Sequence, residues 1–587
     1  MTIGPLCKLT EAIFELIVPL VMAEIIDVGI ANGDKDYILK NGVVLVILAV
    51  CGLTFALICQ YMASVASQGV GTRLRDDLYK HINTLSYKEL DTLGTAALVT
   101  RISNDVNQVQ TAVAMLIRLV VRAPFLVIGA TIMAFTISAR LSLIFLVAMI
   151  IIVLVMVPIM KATVKLFKKQ QKSLDGISRI TRENLSGVRV VRAFARQDYE
   201  TQRFEENAEE YRKFAVRAGR INALLNPAIF IAVNAAYLLI VYFGGSFVSS
   251  GIDGLTQGKV IALVNYMTQI SLALVVVANL VTIFTRAAAS SARINEIFDM
   301  KSSIVGAESS PKTDRNAPAF EFDNVSFSYV GGENSLEDIS FSLGRGETLG
   351  IIGGTGSGKS TLVNLLCRFY DVSGGAVRIN GADVREYPLK ELRGMIGIVP
   401  QKVELLSGTL RDNMTLGRTD ITDERIFKAI ETAQAADFAK DLDAPVLQGG
   451  KNFSGGQKQR LTIARAVAQD PEILILDDSS SALDYATDAA LRHALRELPM
   501  TCVIVSQRAN SIMHADKIIV LDDGKAVGIG THAELLKGCP VYYEICATQY
   551  SEEELAEQMG DTNGMVPAFT NLNFDKFYNS GTKPDRD

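Results

Sequence analysis

Apolar residues crowd the first half of the chain in long runs, then give way after about residue 318 to short apolar bursts alternating with charge and glycine. Six long runs stand out: Leu9 to Ile30, Gly42 to Ser67, Ala114 to Ser138, Leu141 to Met160, Asn222 to Val248 and Val260 to Thr285. Each holds at least about 20 residues, which at a rise of ~1.5 Å per residue crosses a hydrocarbon core of about 30 Å. The pattern predicts six membrane helices followed by a globular α/β half. The first run shows no basic leader and cleavage site and reads as a retained anchor.

Basic residues orient these helices. Fifteen Lys or Arg lie from Lys161 to Arg220, five lie between the second and third runs, and the short connections carry one or two each. Lys and Arg accumulate on the cytoplasmic side, so both long connections, both termini and the globular half are expected in the cytosol. The long connections are poor in Gly and Pro and are expected to extend the membrane helices as rods. Glu11, Glu15, Glu24 and Asp27 interrupt the first run. Glu11 and Asp27 fit the two interfaces, whereas Glu15 and Glu24 lie deeper, where an ionisable group faces other helices or a wet cavity for a substrate or proton. Arg118 and Arg122, four apart at the cytosolic end of the third run, are expected to reach for headgroups.

Composition narrows the partners. The 587 residues are 49% apolar and 21% charged, enough for at least two domains, and the net charge of -5 offers no footprint for nucleic acid. The seven cysteines are odd in number and form no CxxC pair, so they read as reduced packing residues.

The globular half carries the chemistry. Gly353, Gly354, Thr355, Gly356, Ser357, Gly358, Lys359 and Ser360 fit GxxxxGK[ST], between the strand-like Thr348 to Ile352 and an apolar helix beginning near Thr361. Such glycines let backbone N–H groups wrap phosphates, a lysine there neutralises the terminal phosphates, and the serine hydroxyl meets Mg2+. These residues predict ATP and Mg2+ as ligands. Ile473 to Leu476 reads as a buried parallel strand that delivers Asp477, the second magnesium anchor, at its C-terminal edge. Phe453-Ser454-Gly455-Gly456-Gln457 opens a helical run from Lys458 to Ala468 and forms another anion site.

Together these features resemble the ATP-binding cassette (ABC) exporters, with the membrane domain first and the nucleotide domain second, over nearly the whole chain to about residue 550. The resemblance implies an all-α six-helix transmembrane domain over 1–300, a linker over 301–319, an α/β P-loop NTPase domain over 320–550 and a tail over 551–587. Ser454 to Gln457 with Lys458-Gln459-Arg460 is similar to the family's signature, and Ser481-Ala482-Leu483-Asp484 to its D-loop. Tyr329 matches the aromatic that stacks on adenine, and Gln401 the Q-loop residue that reaches magnesium. The cytosolic connections are similar to coupling helices centred near Tyr87 to Leu93 and Phe194 to Arg203. In this family two nucleotide domains close head to tail, so one chain's signature completes the other chain's site.

Two positions depart from the family pattern. Asp478 stands where hydrolysing members carry a Glu that orients and deprotonates water, and Gln507 stands where they carry a switch histidine. The aspartate is one methylene short, and a misplacement on the order of 1 Å can lower the rate about a hundredfold. Glutamine cannot become a cation beside the developing charge. The expectation is a site that binds ATP and hydrolyses it poorly, in a heterodimer whose second half-transporter supplies the consensus residues. The predicted activity is ATP-driven export of small amphipathic, drug-like or lipid-like molecules through the plasma membrane. An ATP-gated channel or regulatory membrane protein is the alternative. An importer is disfavoured, because importers keep the two domain types on separate chains.

Overall fold

The computed structural model describes residues 3–314, 316–329, 332, 334–479 and 483–559. By its internal contacts the chain divides into two units, Met1–Asn83 with Leu93–Met300, and Thr84–Thr92 with Lys301–Asp587.

The first unit is helical. α1 (Ile3–Glu24) runs into a π-helical turn at Ile25–Ile30, followed by α2 (Lys35–Ile82). Beyond the short α3 (Tyr87–Leu93), which up to Thr92 belongs to the second unit, come α4 (Thr95–Ile137), α5 (Ala139–Ser186), α6 (Val188–Ala193), α7 (Gln197–Ser249) and α8 (Gln257–Asp299). Among the described residues α2, α4, α5, α7 and α8 are the 5 helices long and apolar enough to cross a membrane. α1, with Lys8, Glu11, Glu15 and Glu24 along it, completes the transmembrane domain as its most polar member. α2 and α5 each have 48 residues, about 72 Å at ~1.5 Å per residue, more than twice the hydrocarbon thickness. The excess makes the rods that the Gly- and Pro-poor connections predict. Half of the most apolar stretch of α8 is buried, against 6% of that of α2, so α8 is the inner helix of this unit. Small residues such as Ala12, Ala130, Ala134, Ala236 and Ala262 line its packed core and let the helices approach closely.

Three expectations are revised here. Residues 194–203 do not form one short helix: α6 ends at Ala193, Ala195 takes φ 49°, and α7 starts at Gln197. A left-handed alanine makes a corner without the Gly or Pro that would advertise one. Arg122 does not reach for headgroups, because its guanidinium meets Glu15 on α1 at 2.7 Å. Nor is Asp27 merely an interfacial charge. Its carboxylate accepts the Gly258 N–H at 2.7 Å and the Thr256 hydroxyl, satisfying the exposed donors at the start of α8. A Cβ on Gly258 would lie 2.4 Å from the Ala23 carbonyl oxygen, so this approach of α1 and α8 requires glycine.

The second unit is an α/β domain. Its strands are β1 (Phe320–Ser328), β2 (Asn334–Leu343), β3 (Thr348–Gly353), β4 (Gly374–Ile379), β5 (Ala382–Asp383), β6 (Ile396–Val399), β7 (Gly408–Thr409) and β8 (Pro445–Val446). β9 (Ile473–Asp477), β10 (Thr501–Val505), β11 (Lys517–Asp522) and β12 (Lys525–Gly530) follow. The central sheet has the order β12-β11-β3-β10-β9-β6, parallel except for β12. An antiparallel sheet, β2-β1-β4-β5, shares a core with it through Phe320, Phe322, Phe341, Leu362 and Ile475. All five residues of β9 are buried, as its unbroken apolar run requires of a central parallel strand.

The C-terminal helices α12 (His532–Gly538), α13 (Pro540–Ala547) and α14 (Glu552–Met559) pack on the β11 side through Leu535, Leu536, Tyr542 and Leu555. Packing therefore continues past residue 550. The rest of the tail lies outside the described residues. Within this cluster His532 shares hydrogen bonds with the Tyr542 hydroxyl at 2.7 Å and with Gln558 at 3.1 Å. Burial holds its pKa below the ordinary 6.5. The unfolded chain then binds the extra proton first, so stability is present above pH 6.5 and falls as pH drops below it. We expect thermal unfolding of the detergent-solubilised chain to move to lower temperature between pH 7 and 5, and His532→Gln to remove the part of that slope due to this ring.

Candidate nucleotide site

The site is built at the C-terminal ends of the parallel strands, where a doubly wound sheet opens a crevice. β3 ends in the glycine loop, and α9 (Lys359–Leu366) begins beyond it. Gly356 and Gly358 adopt φ values of +84° and +99°, and a Cβ on Gly358 would stand 2.7 Å from Leu336 and 2.8 Å from the Ser335 carbonyl. Both conformation and space therefore demand glycine there. The Lys359 ammonium donates to the carbonyl oxygens of Gly353 at 2.9 Å and Gly354 at 2.5 Å. Burial pulls its pKa down while the Asp477 and Asp478 carboxylates pull it up. A half-buried cation held over its own loop is well placed to meet phosphate oxygens at the helix N-terminus.

Asp477 closes β9 and accepts a hydrogen bond from Ser360. Burial raises its pKa, and the neighbouring Asp478 charge raises it further. Asp478 follows with φ 49°, its N–H donating to the Val505 carbonyl at 2.9 Å. β9 and β10 pair in parallel with Asp477 opposite Val505, so Asp478 and Gln507 follow the ends of adjacent strands. Of the two departures from the family pattern, Gln507 lines the cavity over the loop and Asp478 does not.

A cavity of about 480 Å³ over the loop is lined by Tyr329, Thr355, Lys359, Ser360, Gln401 and Gln507, with Gly356, Ser357, Gly358 and Thr361 completing its floor. Tyr329 is 37% exposed. Edge contacts brace it, with Phe327 at 4.8 Å and Tyr370 at 5.2 Å between ring centroids. The Tyr370 hydroxyl donates to Asp91 on α3 at 2.6 Å, and burial followed by that carboxylate raises its pKa. The Tyr87 ring packs on Phe369 at 4.6 Å. α3 is thus physically joined to the aromatic end of the cavity.

The motif in the helical subdomain sits elsewhere. Ser454 caps α10 (Gly455–Ala468), accepting the Gln457 N–H at 3.3 Å while Gln457 accepts the Ser454 N–H at 2.9 Å. None of Ser454, Gly455, Gly456 and Gln457 lines the cavity over this chain's own phosphate loop. Asp484 caps α11 (Tyr485–Arg496), accepting the Thr487 N–H and hydroxyl at 2.9 Å each. Ser481 and Ala482 lie outside the described residues.

Ser335, Asp523 and Gly524 also line the cavity without having been singled out from sequence. Asp523 and Gly524, at φ 45° and 78°, form the two-residue turn between β11 and β12, a readable hairpin signal. Only the pairing of β11 with β3 brings that turn to the site. Gln549, which does not line the cavity, carries no local sequence signal. Its amide donates to the Gln507 carbonyl at 2.9 Å and accepts the Ala509 N–H at 2.8 Å, bracing the Gln507 loop from the C-terminal helices.

Against known proteins, residues 1–274 match the ABC transporter transmembrane region and residues 336–481 match the ABC transporter family model. An uncharacterized ABC transporter ATP-binding protein of Mycobacterium tuberculosis is 39% identical, covering 92% of this chain and 94% of its own length. The chain belongs to the ABC transporters. The ATP-dependent lipid A-core flippase of Syntrophus aciditrophicus is 31% identical over 86% of this chain and 85% of that protein. A solved structure of a bacterial Atm1-family ABC exporter with ATP bound superposes with a TM-score of 0.78 at 25% identity, covering 94% of this chain and 98% of that one. The protein is accordingly an ABC exporter half-transporter, a multi-pass membrane protein whose cassette binds ATP and couples its hydrolysis to transport.

Proposed function

We propose that this exporter moves small amphipathic molecules, drug-like or lipid-like, out across the cytoplasmic membrane as one half of a heterodimer. Its own site holds ATP and turns it over slowly, and hydrolysis proceeds mainly at the partner's site beneath Ser454, Gly455, Gly456 and Gln457. Mg2+ would be held by Ser360, Asp477 and Gln401. The buried Asp477 carboxylate beside the Ser360 hydroxyl is a hard oxygen donor set of the kind Mg2+ selects, and the cation would offset the burial penalty that raises the Asp477 pKa.

The observation that carries this reading is that Asp478 and Gln507 follow the ends of the paired strands β9 and β10, while the phosphate loop and Tyr329 line the cavity and Asp477 is hydrogen-bonded to Ser360. The signature residues, capped and exposed but away from this chain's cavity, suit a second chain's phosphates. At the α6–α7 corner Val190 is 61% exposed, Phe194 74% and Tyr199 60%, an apolar tip that suits burial against another chain. The Lys and Arg excess in the long connections supports a cytosolic cassette. The lipid A-core flippase relative supports an amphipathic substrate.

The test is to express the chain alone in cells deleted for other exporter halves and reconstitute it. Tight ATP binding with turnover about a hundredfold below that of the co-expressed pair is the expected result. A fast-hydrolysing assembly of this chain alone would overturn the heterodimer reading.

A further inference from the structure

Pro19 interrupts the hydrogen bonding of α1. It carries no N–H, so the Glu15 carbonyl, four residues earlier in α1, lacks its helical donor. Gln269 of α8 supplies one, its amide nitrogen donating to that carbonyl at 3.2 Å, while the buried Tyr266 hydroxyl donates to the next carbonyl, Leu16, at 2.6 Å. A carbonyl acceptor admits only the NH2 side of the amide, which settles its orientation. The Gln269 carbonyl oxygen is consequently left over, buried with no partner among the described residues.

That oxygen belongs to a residue lining a cavity of about 110 Å³ among α1, α4 and α8, together with Glu15, Arg122, Leu119, Leu126 and Leu272. Glu15 and Arg122 form an ion pair at 2.7 Å, with side chains 37% and 26% exposed. The Arg122 Nε is likewise buried without a partner. Two of the residues lining the cavity thus carry a buried polar atom without a partner among the described residues, beside a carboxylate and a guanidinium. An anion alone would leave Gln269 and Glu15 facing like charge, and a cation alone would crowd Arg122. A group carrying both signs matches this lining, since an ammonium suits Glu15 and Gln269 and an anion suits Arg122. The space is below the roughly 300–1,000 Å³ of drug-sized sites, so it takes a head group. Leu272, 66% exposed at the rim, offers apolar surface for a tail.

We propose that Glu15, Arg122 and Gln269 form a recognition site for the zwitterionic head of an amphipathic ligand. The proposal rests on the export reading for the ligand's purpose, but binding is measured without nucleotide or transport, so either can fail alone. The full chain in nanodiscs is titrated with radiolabelled lysophosphatidylethanolamine, anionic lysophosphatidic acid, cationic sphingosine and water-soluble glycerophosphoethanolamine. The lysophosphatidylethanolamine should bind at least tenfold more tightly than each of the others. Glu15→Gln and Arg122→Gln should each weaken it about tenfold, and Gln269→Leu, which keeps both charges, severalfold, with binding of a fluorescent ATP analogue unchanged as the check on folding. Equal binding of the three amphiphiles, wild-type affinity in all three variants, or glycerophosphoethanolamine binding as tightly as the lysolipid would overturn the assignment. Should the single-charge variants misfold, Gln269→Leu decides the matter.

Discussion

Gly455→Asp is expected to lower ATP turnover by the assembled transporter about a thousandfold while leaving nucleotide affinity at this chain's own phosphate loop within about twofold. Gly455 is the first residue of α10, directly after the Ser454 cap. In the proposed head-to-tail pairing, a carboxylate there would face the terminal phosphate presented by a second cassette. Two unit charges about 4 Å apart at an effective dielectric near 20 repel by about 4 kcal/mol, close to three powers of ten in rate. The substitution does not threaten the fold, because an acidic residue in the first helical turn is favourable. Steady-state ATPase of the pair, set beside equilibrium binding of a fluorescent ATP analogue to this chain, separates the two effects. Equal loss of both would show that the signature serves its own chain's site.

Restoring Glu at 478 and His at 507 together should raise turnover by this chain alone about a hundredfold, the factor associated with moving a catalytic group by on the order of 1 Å. The larger part should come from Asp478→Glu, which returns the missing methylene. Gln507→His adds a group that can carry charge toward the phosphate. Some stability should be lost in exchange. Residue 478 sits at φ 49°, a conformation in which Asp is enriched among non-glycine residues, so a small drop in melting temperature should accompany the gain. Unchanged turnover in a folded, ATP-binding double variant would mean that slow hydrolysis has another origin.

What was readable in the sequence was whatever one segment could encode. Gly353 to Ser360 carries strand, loop and helix within a few residues, and Ile473 to Asp477 announces a buried strand by its unbroken apolar run. The Asp523-Gly524 turn reaches the site, and Gln549 the Gln507 loop, only through strand order and the packing of the C-terminal helices, which no local pattern contains. The corner at Ala195 has no local signal, because its left-handed residue is an alanine. Helical spacing tells that Arg118 and Arg122 share a face and is silent about the helix opposite. The Glu15 partner of Arg122 lies more than a hundred residues away in the chain.

The contacts between α1 and α8 also bear on how force travels. Asp27 on the N–H of Gly258, where the backbone also closes on Ala23, Tyr266 on Leu16 and Gln269 on Glu15 tie the two helices together at three positions along α8. Sliding one past the other would break these hydrogen bonds together, so the two helices are expected to move through a transport stroke as one strut.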